Sequence, residues 1–139
     1  MIRVLVGEEE PPILRDVVNR IEAVDPRFTV VETAYDGRRA MELLDSTPVD
    51  VVFTDINMPL CDGLKLLEHV SSHYPHVLSI VLSGYQEFSY AQQAIRYGVA
   101  DYLLKPVKDE NLKAVLEDLH ERYTSRRTRE QQQFLNDII

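Results

Sequence analysis

The chain has 139 residues, 45% hydrophobic and 27% charged, which suits one globular domain with a core and excludes a disordered tail. Acidic residues outnumber basic ones, 23 against 15, for a formal charge of −8; a surface of that sign repels phosphate backbones and argues against direct nucleic-acid binding by this segment. No apolar run approaches the roughly 20 residues that span a bilayer, the single cysteine, Cys61, has no internal partner, and residues 1–7 run straight into three glutamates, the opposite of a cleavable signal peptide. The expectation is a cytoplasmic domain with no membrane contact.

Residues 2–6 read as a buried strand ending at Gly7 and the acidic run Glu8-Glu9-Glu10. Pro11 and Pro12 open a helix, proline being tolerated in a first turn, and Ile13, Leu14, Val17, Val18, Ile21 and Val24 form its apolar stripe up to Asp25-Pro26. Residues 28–34 form the second strand, and Asp36-Gly37 turns it into a short helix carrying Ala40, Met41, Leu43 and Leu44. The third strand, 51–54, stops at Asp55, and a loop over 56–63 leads to a helix through Leu64, Leu67 and Val70. The fourth strand, 77–82, precedes Ser83-Gly84; the next helix runs from about Glu87 to Tyr97 and stops at Gly98, a good C-cap residue. Tyr102-Leu103-Leu104 makes a short fifth strand cut by Lys105-Pro106. This alternation predicts a doubly wound α/β fold: a five-stranded parallel sheet in a three-layer sandwich, with helices on both faces. Strands that are apolar throughout agree with burial on both sides.

Leu112, Val115, Leu116, Leu119 and Tyr123 form a helical stripe that closes the sheet's last face. Residues 124–133 contain no apolar side chain, and Phe134, Leu135, Ile138 and Ile139 then return with nothing obvious to pack on. Two readings stand: a linker toward a neighbouring domain or partner chain, or a frayed tail. The expected organisation is a domain over 1–123 and the start of a linker helix over 124–139, on a chain that reads as cut short.

Ligands of open parallel sheets bind outside the carboxyl ends of the strands, where the winding reverses. The first strand delivers Glu8 and Glu9 there, the third Asp55, the fourth Ser83 and the fifth Lys105. Each alone has an ordinary explanation as a cap, a turn or a solvated group; complementary groups at four strand ends do not share one. Clustered carboxylates raise each other's pKa unless a cation sits among them. With a main-chain carbonyl and waters they make the hard oxygen shell that Mg²⁺ prefers. Asp55, aimed by a rigid strand, can attack a phosphoryl group to give an acyl phosphate. Lys105 and the Ser83 hydroxyl suit the phosphoryl oxygens as ammonium and hydrogen-bond donor.

Glu8-Glu9-Glu10-Pro11, Thr54-Asp55-Ile56-Asn57-Met58-Pro59, Leu82-Ser83-Gly84 and Lys105-Pro106 together resemble, in order and spacing over roughly the first 120 residues, the receiver domain of two-component response regulators. The resemblance implies a flavodoxin-like sheet of order 2-1-3-4-5. It implies that Asp55 accepts a phosphoryl group from a sensor histidine kinase, and that Mg²⁺ is held by Glu8, Glu9, Asp55 and the main-chain carbonyl of Asn57. Ser83 and Lys105 would contact the phosphoryl oxygens, Tyr102 would be the aromatic switch that swings inward, and the Lys105–Pro106 bond would be cis. It further implies a homodimer through the fourth helix, fifth strand and fifth helix. Such a domain is a signalling element rather than an enzyme, its catalysis confined to Mg²⁺-dependent self-phosphorylation and slow self-dephosphorylation. Residues 82–91 and 98–107 are similar to receivers joined to an AraC-type helix-turn-helix module, which implies transcription regulation with DNA contacted only by a C-terminal output domain absent from these residues.

Two departures bear on the metal. The acidic pair is two glutamates, where the family usually carries two aspartates or glutamate then aspartate; the extra methylene pushes the Glu9 carboxylate outward by about one bond, which predicts coordination through water and weaker affinity. Gly7 stands where a small apolar side chain is expected, loosening the end of the first strand. These departures motivate an alternative class, a phosphorylation-independent dimerisation module. A small phosphatase is a third, disfavoured because Asn57 occupies the place where that class wants an aspartate as general acid. His69, His73 and His76 read as surface histidines and Cys61 as a free thiol, while Arg126, Arg127 and Arg129 read as a solvated helix face. Tyr85, Phe88 and Tyr90 are either core anchors or an exposed contact surface.

Overall fold

A computed structural model describes residues 1–84 and 88–138. Strands β1 (Ile2–Gly7), β2 (Phe28–Ala34), β3 (Val51–Asp55), β4 (Leu78–Ser83) and β5 (Asp101–Leu104) form one sheet of order β2-β1-β3-β4-β5, every pairing parallel. Helices α1 (Pro11–Val24), α2 (Gly37–Ser46), α3 (Gly63–His73), α4 (Phe88–Ala94) and α5 (Asp109–Ile138) connect and cover the strands. The expected order and the three-layer arrangement are both observed.

Alternate residues of the strands feed opposite cores, because strand side chains point to opposite faces. Val4, Val6, Val51, Phe53, Ile80 and Leu82 pack with Leu14, Val17 and Ile21 of α1 and with Leu112, Val115, Leu116 and Leu119 of α5. On the other face, Leu5 and Val52 meet Ala40, Leu43 and Leu44 of α2 and Leu66 and Val70 of α3. Val81 there meets Leu67 and Ala94. Asp36 and Asp62 cap α2 and α3 by accepting from the main-chain N–H of Arg39 and Lys65, at 2.8 and 2.9 Å. Two glycines allow these helix starts to close on the β3–α3 loop: a Cβ at Gly37 would lie 2.0 Å from the Cys61 carbonyl oxygen, and one at Gly63 would lie 2.1 Å from that of Asp55.

Two local features differ from the sequence expectations, the end of the fourth helix and the setting of Arg126. The fourth helix is α-helical only to Ala94; residues Ile95–Tyr97 tighten into a 3₁₀ turn before Gly98, whose φ of 68° makes it the expected cap. The last helix runs past Tyr123 as one rod to Ile138. Arg126 is not merely solvated: it donates to the carbonyl oxygens of His76 at 2.7 Å and Pro75 at 3.4 Å, strapping the overhanging helix to the α3–β4 loop. Phe134, Leu135 and Ile138 remain exposed. The choice between core and surface for Tyr85, Phe88 and Tyr90 lies outside the described residues and side chains.

Candidate functional site

The sheet winds one way from β1 to β2 and the other way from β1 to β3, so the carboxyl ends of β1 and β3 flank the reversal point. Glu8 leaves β1 there with no solvent exposure, and Asp55 ends β3 with 2%. From the far side, Lys105 follows β5, its main-chain N–H donating to the Ser83 carbonyl at 2.7 Å. Its Nζ lies 3.0 Å from Asp55 Oδ2 and 3.4 Å from Glu8 Oε2. Main-chain N–H groups also meet the carboxylates, Glu10 donating to Glu8 Oε1 at 3.4 Å and Asn57 to Asp55 Oδ1 at 3.3 Å. The Lys105–Pro106 peptide is cis.

Two buried carboxylates thus share one ammonium, and the titration of Glu8 shows the imbalance. Burial, reinforced by the charge of Asp55 and opposed by Lys105, pushes the Glu8 carboxyl up to about 7. Lys105 loses stability as a cation through burial, but the hydrogen bond and charge of Asp55, with those of Glu8, outweigh this and hold it above the usual lysine range. Ser83 is buried at the end of β4, one residue beyond Leu82, which pairs with Asp55. Glu9 and the Asn57 side chain are exposed, and Tyr102 stands half in solvent on β5.

The model of the response regulator receiver domain matches residues 4–117. The chain belongs to that family. YesN, an uncharacterized transcriptional regulatory protein of Bacillus subtilis, is 37% identical to this receiver over 119 residues, covering 86% of this chain and 32% of YesN. The transcriptional regulatory protein HptR of Staphylococcus aureus is 34% identical over 116 residues, covering 84% of this chain and 45% of HptR. Among solved structures, the REC domain of AraT, a response regulator from Geobacillus stearothermophilus, superposes with a TM-score of 0.82 at 39% identity, over 90% of this chain and 97% of that one. This receiver therefore spans between a third and a half of the curated relatives it matches, which are longer transcriptional regulators.

Receivers of this family imply Mg²⁺, and the residues at the rim fit a dication with two carboxylates. Glu8 and Asp55 supply hard oxygen donors facing a single ammonium. Among the described residues no three acidic, histidine or cysteine side chains are grouped closely enough to hold a metal by themselves. The histidines of α3 make a different cluster: His69 and His73 stack at 4.4 Å, and Asp45 of α2 contacts both His69 and the Tyr74 hydroxyl. Cys61 is half-buried, its thiol 3.8 Å from Met41 Sδ. No described helix is long and apolar enough to cross a membrane.

Sequence reasoning passed over Thr54. It is fully buried in β3 and its hydroxyl donates to the Asp55 carbonyl at 2.8 Å. The signal was available, since a hydroxyl interrupts the apolar run Val51-Val52-Phe53 immediately before the acid.

Proposed function

We propose that this receiver is phosphorylated on Asp55 by a sensor histidine kinase and controls a DNA-binding output module of AraC type joined beyond residue 139. The observation that carries the reading is the Lys105 ammonium 3.0 Å from Asp55 Oδ2, an ion pair built from two strand ends 50 residues apart. An Asp55 carboxylate oxygen bonds to phosphorus as the bond from phosphorus to the kinase's imidazole nitrogen breaks, the electron pair staying on the imidazole. Lys105 and the Ser83 hydroxyl neutralise and hydrogen-bond the phosphoryl oxygens. Glu8, Asp55 and the Asn57 main-chain carbonyl, with Glu9 through water, would hold Mg²⁺, which would supply further neutralisation of the phosphoryl oxygens.

The acyl phosphate adds charge beside Lys105, draws Ser83 toward it, and lets Tyr102 leave its half-exposed position for the vacated space. The surface of α4, β5 and α5 then favours a homodimer, which couples two output modules. Residues 1–123 form the receiver and 124–139 begin the connector, in a cytoplasmic protein whose own catalysis is limited to self-phosphorylation and slow self-dephosphorylation. The test uses beryllofluoride or acetyl phosphate with Mg²⁺ and reads the intact mass. One adduct forms on the wild type and none on Asp55→Asn; an adduct that survives this substitution refutes the assignment.

The exposure of Glu9 supports a second reading, a phosphorylation-independent dimerisation module that binds no metal. A Mg²⁺ titration separates the two: a spectroscopic probe near Asp55 stays silent at millimolar metal for the scaffold and responds for the phosphoacceptor.

A further inference from the structure

We propose that Thr54 is a positioning residue for Asp55: its hydroxyl, admitted by the bare backbone of Gly7, holds the Asp55 peptide carbonyl and with it the aim of the acceptor carboxylate. This deepens the phosphoacceptor reading and rests on it. Thr54 has no solvent exposure. Valine has the same shape without a polar atom to satisfy, so a hydroxyl at this depth has to be paired. It is paired with the Asp55 carbonyl, at 2.8 Å.

Gly7 lies opposite Thr54 in the β1–β3 ladder. A Cβ there would stand 3.3 Å from Thr54 Oγ1, tighter than ordinary packing by about a tenth of an ångström or more, and would reach contact distance of Met58 Sδ at 3.4 Å, so the glycine leaves room for the hydroxyl. The departure at position 7 thereby acquires a partner. On its other side the same carbonyl faces Gly63, where a Cβ would come within 2.1 Å of it.

Boxed between a hydroxyl and a helix start, the peptide after Asp55 has little freedom to rotate. It leads to Asn57, whose N–H reaches Asp55 Oδ1 at 3.3 Å. That peptide plane runs from the Asp55 Cα, the root of the carboxylate, to the Ile56 Cα, and the next peptide carries the Asn57 N–H that meets the carboxylate's tip. Because the phosphoryl transfer depends on attack geometry, loosening that plane slows phosphorylation without touching a reacting atom.

The experiment compares wild type, Thr54→Val, Thr54→Ser and Gly7→Ala in the presence of Mg²⁺ and acetyl phosphate, following the acyl phosphate by intact mass and folding by urea titration. Thr54→Val is expected to react about fivefold more slowly, the size of one lost hydrogen bond, while Thr54→Ser reacts at close to the wild-type rate. Gly7→Ala crowds the hydroxyl from the opposite strand and is expected to slow the reaction as well, which keeps the test open should Thr54→Val fold poorly. A wild-type rate in Thr54→Val, or in Gly7→Ala where the valine variant does not fold, overturns the inference, as does a Thr54→Ser as slow as the valine variant. A wild type that takes up no phosphoryl group removes the phosphoacceptor reading together with this one.

Discussion

Burial decides the charge of Glu8. With no exposure and Asp55 beside it, its carboxyl titrates at about 7 instead of 4.5. Between those two values the folded metal-free protein holds a proton that the unfolded chain has released. The folded state thus binds more protons there, and stability falls as pH rises through that interval. Urea midpoints of metal-free protein are expected to drop from pH 4.5 to about 7 and then level off. Glu8→Gln, which has no proton to lose, should flatten this part of the profile; an unchanged slope in that variant would assign the effect to another group.

Asp55, Glu8 and Lys105 were legible because each follows a run of strand residues directly, so the sheet itself aims them. Glu9 was legible as the outer half of the pair: consecutive residues leaving a strand point to different sides, and one is fully buried while its neighbour is exposed. Thr54 stayed hidden, since its partner is a main-chain atom that no residue pattern names.

Among the elements, α1 and α5 are joined by two arginines of unequal standing. Arg27 chelates Asp25 and reaches Glu117 of α5, each at 2.8 Å. Asp25 is 7% exposed, and the Arg27 hydrogen bond holds its carboxyl below the usual range despite burial. Stability from this contact is present above the ordinary aspartate pKa and is lost as pH falls through the lowered one. Arg20 instead bonds Asp109 and Asp16, whose side chains are 75% and 61% exposed. Removing Arg27 strands a buried carboxylate, whereas removing Arg20 frees two solvated ones. Arg27→Ala is therefore expected to lower the urea midpoint at pH 7 more than Arg20→Ala, and the reverse order would deny Asp25 its structural weight.

The elements themselves were readable where apolar periodicity was strong, as in α1 and the buried half of α5. Past Tyr123 the stripe ends but the helix does not, because arginine, glutamate and glutamine have high helix propensity. Pairs four apart, such as Arg122–Asp118 and Gln133–Asp137, each at 2.9 Å, support it further. Propensity without a buried face is a weak signal in a sequence, which is why linker and frayed tail could not be told apart there.

At the scale of the molecule, the fold was the most legible property, since continuous apolar strands alternating with amphipathic helices admit few topologies. The linker reading did not reveal that the last helix is continuous with its extension, one shaft held to the domain by Arg126. A shaft has a phase. Each residue inserted between 128 and 133 would turn its far end by about 100° and advance it by about 1.5 Å. In a chain extended by an output module, two inserted residues should abolish phosphorylation-dependent reporter activity and seven, nearly two full turns, should restore it. A smooth decline with insert length would mean that the shaft behaves as a tether. If the oscillation is found, the angle at which a distant module faces its twin is dialled by residue count alone, and natural variation in the length of this segment becomes a change of gearing rather than of reach.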